Sequence, residues 1–162
     1  MRPTTNKQEV FLLSATVSST LEDLQEGILD SIKQIVPIPY EDVSVPIVQK
    51  ELSLQYGVLV GVTGSVKGKI LYKADADVFG SIGEVMFGMA LEGEMLKSFS
   101  GELGNMLSGG LCTHIFSKGV TIDITAPTIM DGNSTLSGFR EAIEVEVTFQ
   151  NGNKLAVGLM LD

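Results

Sequence analysis

Hydrophobic positions recur at two different periods along the chain, and the changes of period mark out the elements. In "SSTLEDLQEGILDSIKQIVP", Leu21, Leu24, Ile28, Ile32 and Ile35 follow one another at spacings of three and four. That is one apolar stripe on a helix. Ser19 with Glu22 reads as a capping box, and Pro37 stops the helix. "PIPYEDVSVPIV" is proline-rich, which predicts irregular backbone or an edge strand. "LSLQYGVLVGVTGSVKGKILYKA" predicts a β-hairpin, with strands at about 52–62 and 68–73 around "TGSVKG". "DADVFGSIGEVMFGM" predicts a short helix capped by Asp75 or Asp77. "GEMLKSFSGELGNMLSGGLCTHIFSKG" predicts a long helix ended by Gly119. "VTIDITAPTI" predicts a strand broken at Pro127, and "DGNSTLSG" a loop. "EAIEVEVTFQNGNKLAVGLML" predicts a hairpin that turns at Asn151-Gly152.

Helices interspersed with hairpins predict an α+β fold, a mostly antiparallel sheet with two long helices packed on one face. The order helix, strand, hairpin occurs twice, which hints at an internal pseudo-repeat. A length of 162 residues predicts one domain, 1–162. Apolar residues at 44% and charged residues at 19% describe a globular chain that can bury a core. The net charge of −9, with no basic cluster, argues against a nucleic-acid or anionic-membrane surface. A lone cysteine, Cys112, forms no disulfide within the chain and suits a reducing compartment. The start, "MRPTTNKQEVFLLSATVSS", lacks the shape of a leader peptide. No apolar run reaches the roughly 20 residues of a membrane helix. The expectation is a cytoplasmic protein.

"SFSGELGNMLSGG", residues 98–110, breaks the pattern from inside the long helix. It carries four glycines, three serines, a glutamate and an asparagine, although Gly costs roughly 1 kcal/mol against Ala in a helix. At about 100° per residue, Met95, Leu96, Phe99, Leu103, Met106, Leu107 and Leu111 gather on one broad face. Ser98, Glu102 and Asn105 line a narrow stripe on the other side, with Gly109 next along it and Gly101 flanking. A solvated helix face explains the spacing alone. The small residues suggest instead a face that something must approach closely.

This stretch resembles the signature of the CheC/CheX family of chemotaxis phosphatases. The signature is Asp or Ser, then Glu four residues on, then Asn three further, with a proline downstream. Ser98, Glu102, Asn105 and Pro127 occupy those positions. "GVTGSVKGKILYKADADVFGSIGEVMFGM" resembles the glycine-punctuated hairpin and short helix of the family. The likeness covers roughly residues 50–135 and is looser beyond. It implies an α/β sandwich with pseudo-symmetric halves. One motif, rather than one on each long helix, makes the chain CheX-like. Ser18, Glu22 and Gln25 repeat the spacing with Gln for Asn, as a relic second motif or as the capping box.

The resemblance implies hydrolysis of the aspartyl phosphate of a phosphorylated CheY-like receiver domain. The receiver supplies phosphoryl group, magnesium and lysine, so no cofactor of the chain's own is expected. A carboxamide both accepts from water and donates, without charge, so Asn105 is assigned to position the attacking water. Glu102 is assigned to pair with the receiver lysine. Ser98, Gly101, Gly109 and Pro127 complete the partner-facing set. Ser98 makes a peripheral contact or bonds back to its helix, and Pro127 shapes the loop behind. A non-catalytic receiver-binding or adaptor module remains the alternative.

Other features carry less. His114 falls with the apolar face, as a satisfied core histidine, and no His/Cys cluster suggests a metal. Cys112 reads as a small buried hydrophobe, and Met86, Met89, Met95 and Met106 as core filler. The resemblance and two apolar segments, "VLVGV" and "KLAVGLML", together predict a homodimer joined through sheet edges, since free edges of that kind need gatekeeping charges.

Overall fold

The architecture has the same form read from either end of its sheet. The computed structural model of the chain describes residues 19–162; Ser18 and the opening segment read above for a leader lie outside the described residues. Helices α1 (Ser19–Ile35), α2 (Ala76–Phe87) and α3 (Gly93–Phe116) accompany eight strands. These are β1 (Tyr40–Val43), β2 (Ile47–Val48), β3 (Leu52–Gly64), β4 (Gly68–Lys73), β5 (Ile122–Ile124), β6 (Thr128–Leu136), β7 (Glu141–Phe149) and β8 (Lys154–Leu161). The sheet order is β1-β7-β8-β4-β3-β5, with β2 also on β7 and β6 also on β3. Every pairing is antiparallel. Exchanging β4 with β8, β3 with β7, and β5–β6 with β1–β2 returns the same order. The pseudo-repeat seen in sequence is therefore a pseudo-two-fold between the central strands, with α1 and α3 as equivalent helices.

Side chains alternate across each strand, and both faces of this sheet are covered. On one face the α1 stripe and Leu103, Leu107, Leu111 and Ile115 of α3 join Val58, Val60, Ile70, Val145 and Val157 in the main core. On the other face, Leu52, Leu54, Leu71, Ala142 and Met160 form a smaller cluster. The start of β3, paired with β6, folds across this second face. Leu52 sits so close to Gly158 of β8 that a methyl group there would lie 2.6 Å from its Cδ1. Cover on both faces explains why β8 is apolar at consecutive positions rather than alternate ones.

The two long helices also touch. Ser31 Oγ of α1 donates to the Leu107 carbonyl of α3 at 2.8 Å, and a methyl group on Gly110 would collide with that hydroxyl. At the far end of the pair, Lys118 Nζ lies 2.8 Å from Glu26 Oε1. That ion pair holds the Glu26 carboxyl below its usual range and the Lys118 amine above its own.

Several expectations need correction. "VLVGV" and "KLAVGLML" are interior strands with partners on both sides, so neither is a free edge. The true margins are β1–β2 and β5–β6. Most of "DGNSTLSG" is strand β6, because β3 is long enough to pair with it throughout. Ser19 is the first helical residue of α1, so the N-cap falls outside the described residues. Asp75 is the N-cap of α2, without a side-chain cap bond. Met89 and Met95 are more than half exposed, not core.

Candidate functional site

Helix α3 is built to lie close against the sheet and to point a few chosen groups away from it. Its inward arc carries Ser100, Gly101, Gly104 and Ser108 among leucines, all buried. A methyl group on Gly104 would lie 2.7 Å from Val58 Cγ1. The two serines meet two tyrosines that rise from the sheet. Tyr56 Oη is 2.9 Å from Ser100 Oγ, and Tyr72 Oη is 2.7 Å from Ser108 Oγ. Ser100 Oγ also donates back to the Leu96 carbonyl at 2.8 Å. Burial raises the ionisation of the Tyr72 hydroxyl far above its usual range, so it stays a neutral hydrogen-bonding group. The two pairs stand eight residues apart and bracket Glu102 and Asn105. They fix how α3 is placed along and around its axis, because a buried hydroxyl tolerates little displacement from its partner.

The outward stripe follows from that anchoring. Ser98, Glu102 and Asn105 are exposed, and Gly109 is half-exposed with open space where a side chain would stand. Asn105 Nδ2 donates to Glu102 Oε1 at 3.4 Å. This long contact keeps the two groups together without committing the amide oxygen. Lys97 Nζ lies 3.7 Å from Asp131 Oδ2 of β6.

The structure brings together three expected motif residues and Gly109, and places two others elsewhere. Gly101 does not flank the open stripe. It is buried, and a methyl group there would lie 3.4 Å from Ile129 Cδ1 and 3.6 Å from Pro127 Cγ. Pro127 is half-buried behind the helix. Its loop is pinned to β3 at Gly61, whose N–H donates to Thr125 Oγ1 at 2.8 Å and whose carbonyl accepts from Thr125 N at 2.9 Å. The Tyr–Ser pairs went unnoticed in the sequence. The signal was there, since Ser100 and Ser108 share the wheel positions of the buried leucines.

His114 sits at the seam with α1, Nδ1 3.5 Å from Asp30 Oδ2 and Nε2 3.8 Å from Glu26 Oε1. It is less satisfied than a core histidine should be, because the buried Nε2 has no hydrogen-bond partner. Cys112 is half-buried at the border of the outward stripe. Burial, then the nearby Asp123 carboxylate, push its thiol above the usual range. Among the described residues, no three His, Cys, Asp or Glu side chains gather to hold a metal ion, and no helix is long and apolar enough to cross a membrane.

Comparison with known proteins bears on this site. The family described as chemotaxis phosphatase CheX matches residues 56–149. The CheY-P phosphatase CheX of Thermotoga maritima is 32% identical over 77 residues, which are 46% of this chain and 50% of that protein. The chain thus spans about half the length of the curated relative it matches. Among solved structures, a chemotaxis protein CheX from Desulfovibrio desulfuricans superposes with a TM-score of 0.74 at 18% identity, covering 90% of this chain and 100% of that one. CheX in the CheX–CheY–BeF3–magnesium complex of Borrelia burgdorferi superposes at 0.71 with 20% identity, covering 87% and 96%. At such identities the structures speak for the fold, and the fold agrees with the pseudo-symmetric α+β architecture expected from sequence.

Proposed function

The chain belongs to the CheX family of chemotaxis phosphatases, and on that premise we propose that it hydrolyses the aspartyl phosphate of a CheY-like receiver domain. One observation carries the reading: Glu102 and Asn105 stand exposed and in contact on a helix whose inward side is anchored. An acyl phosphate is already reactive, so a catalyst has to supply position more than force. Asn105 offers its amide oxygen to a water and its amide N–H to a phosphoryl oxygen. The water attacks phosphorus in line. The bond from phosphorus to the aspartyl oxygen breaks, the carboxylate leaves with the electron pair, and the water's proton passes to phosphate or solvent. Glu102 pairs with the receiver lysine and sets the approach angle. The magnesium ion belongs to the receiver, where it neutralises phosphoryl charge, and this chain adds no cofactor. Ser98 and Gly109 border the contact, while Gly101 and Pro127 support the helix from behind. The work is cytoplasmic, where receivers are.

The test is phosphate release from a receiver charged with acetyl phosphate, with and without the protein. Acceleration that Asn105→Ala removes, and that Glu102→Lys weakens through KM, supports the mechanism. Binding without acceleration would leave a receiver-binding adaptor instead. We further propose a two-fold dimer, now on different grounds. Val45, Ile47 and Val48 are about half exposed or more on the β1–β2 margin, where β2 has one side unpaired. Sedimentation near twice 17.3 kDa would support it.

A further inference from the structure

Exposed large apolar side chains are not spread evenly over this molecule. Of the eight among the described residues, four fall between residues 85 and 95: Val85, Phe87, Met89 and Met95. Phe87 ends α2 and is 61% exposed. Gly88 follows in the left-handed conformation, at φ 75°, so the chain turns sharply there and leaves the Phe87 ring at the corner. The ring is not loose. It meets Phe99 of α3 edge-on, with centroids 5.7 Å apart and planes at 88°. Phe99 is itself buried and adjoins Ser98 in the chain.

Met95 is 56% exposed and lies on the same helical stripe as the motif, three residues before Ser98 and seven before Glu102. Ten residues separate it from Asn105, or about 15 Å along the helix axis. The polar stripe thus runs directly into an apolar patch supplied by α2 and α3. We infer that Phe87 and Met95 are a docking surface for the receiver domain, gripping an apolar area beside its phosphorylation pocket while Glu102 and Asn105 enter the pocket.

This inference rests on the function proposed above, and two arguments carry it beyond that function. The first is size. A specific interface covers about 800 Å² per partner, a patch about 30 Å across. An interface centred on Glu102 and Asn105 therefore extends over Met95 and its neighbour. The second is energetic. Exposed charges and amides at a contact set orientation and approach, while buried aromatic and apolar anchors supply most of the affinity. The motif stripe has no such anchor of its own, and the adjoining patch does. Methionine suits a surface that must fit a partner closely, because its unbranched thioether adapts to the shape opposite. Phe87, braced by Phe99, supplies the rigid part.

The test separates this surface from the chemistry. Dephosphorylation of a receiver charged with acetyl phosphate is measured for the wild type, for Phe87→Ser with Met95→Ser, and for Met95→Leu, with melting curves to verify the fold. The double variant is expected to raise KM about tenfold and to leave kcat within about twofold. Met95→Leu, which keeps an apolar contact but gives up the adaptable thioether, is expected to raise KM by less than the double variant does. Should the wild type accelerate release and the double variant share its KM, the docking surface is wrong and the catalytic reading stands. Should the wild type neither accelerate release nor bind the receiver, both fall; should it bind without acceleration, the catalytic reading falls and the same comparison, made on the binding constant, decides the docking surface. Should the double variant lower the sedimenting mass with KM unchanged, the patch holds a second copy of the chain and the inference is overturned.

Discussion

The inward and outward faces of α3 use the same kinds of residue for opposite ends. Inward, Ser100, Gly101, Gly104 and Ser108 are buried, and each is small because the sheet or a loop is close. Outward, Ser98, Glu102 and Asn105 are exposed, and Gly109 has open space where a side chain would stand. On the first face a missing side chain is filled by the protein itself. On the second it is filled by solvent and, in the proposed function, by a partner. Small residues in a helix thus mark close approach without saying from which side. Hydroxyl partners and nearby atoms decide that, and they belong to the tertiary structure.

Substituting the same residue type on each face breaks the comparison most sharply. Gly104→Leu forces a side chain into Val58, where a single methyl group already lies 2.7 Å from Cγ1. The expected loss is about 3 kcal/mol, the upper end of the range for overpacking. Urea unfolding measures it, and a midpoint equal to wild type would mean that α3 can lift off the sheet freely. The next effect is smaller. Tyr72→Phe strands the buried Ser108 hydroxyl, at a cost of about 2 kcal/mol. Adding Ser108→Ala should recover part of that, since both polar partners are then gone. A double-mutant cycle reads the coupling directly. Additive losses would mean that the pair does not hold the helix in place.

The elements were largely legible in the sequence because their periodicity is strong. The apolar stripe of α1 and the Asn151-Gly152 hairpin fall where the pattern puts them. The repeated order of elements also announced the pseudo-two-fold. Edges were not legible. "KLAVGLML" looks unprotected as a sequence, yet it is central, and only the pairing of β8 with both β4 and β7 reveals that. Likewise "DGNSTLSG" has turn composition, yet it is held as strand by the length of β3. At the site, the exposed positions of Ser98, Glu102 and Asn105 followed from helical spacing alone. Gly101 did not, because on a wheel it lies beside the stripe while in space Pro127 and Ile129 close over it. Met95 was placed with the apolar face of the wheel and read as core filler, although seven residues put it only about 20° from Glu102, at the margin of that face, and it is more than half exposed.

On the outward face the sign of a glycine substitution should reverse. Gly109→Ala adds a methyl group that meets nothing beyond its own helix backbone within 4 Å and removes a helix-breaking residue. Stability should rise by roughly 1 kcal/mol, seen as a higher melting temperature. If a partner approaches this face closely, KM for the receiver should rise at the same time. A gain in stability with unchanged KM would remove Gly109 from the contact and leave the motif residues in it.

The smallest effect is expected at the border between the faces, where Cys112 sits half-buried on α3. Only the thiolate reacts with alkylating reagents. Burial disfavours that charged form, and the Asp123 carboxylate repels it further, so the thiol stays protonated beyond its ordinary range. The folded state therefore prefers the neutral thiol more than the unfolded chain does. That preference is fully present below the usual thiol range and is lost as pH rises through the raised value. Iodoacetamide labelling at neutral pH should run several times slower in the folded protein than in urea. It should quicken with each unit of pH until the thiol ionises. Labelling in the native state as fast as in urea would show that Cys112 belongs to the open face, and that the border lies further round the helix than its burial indicates.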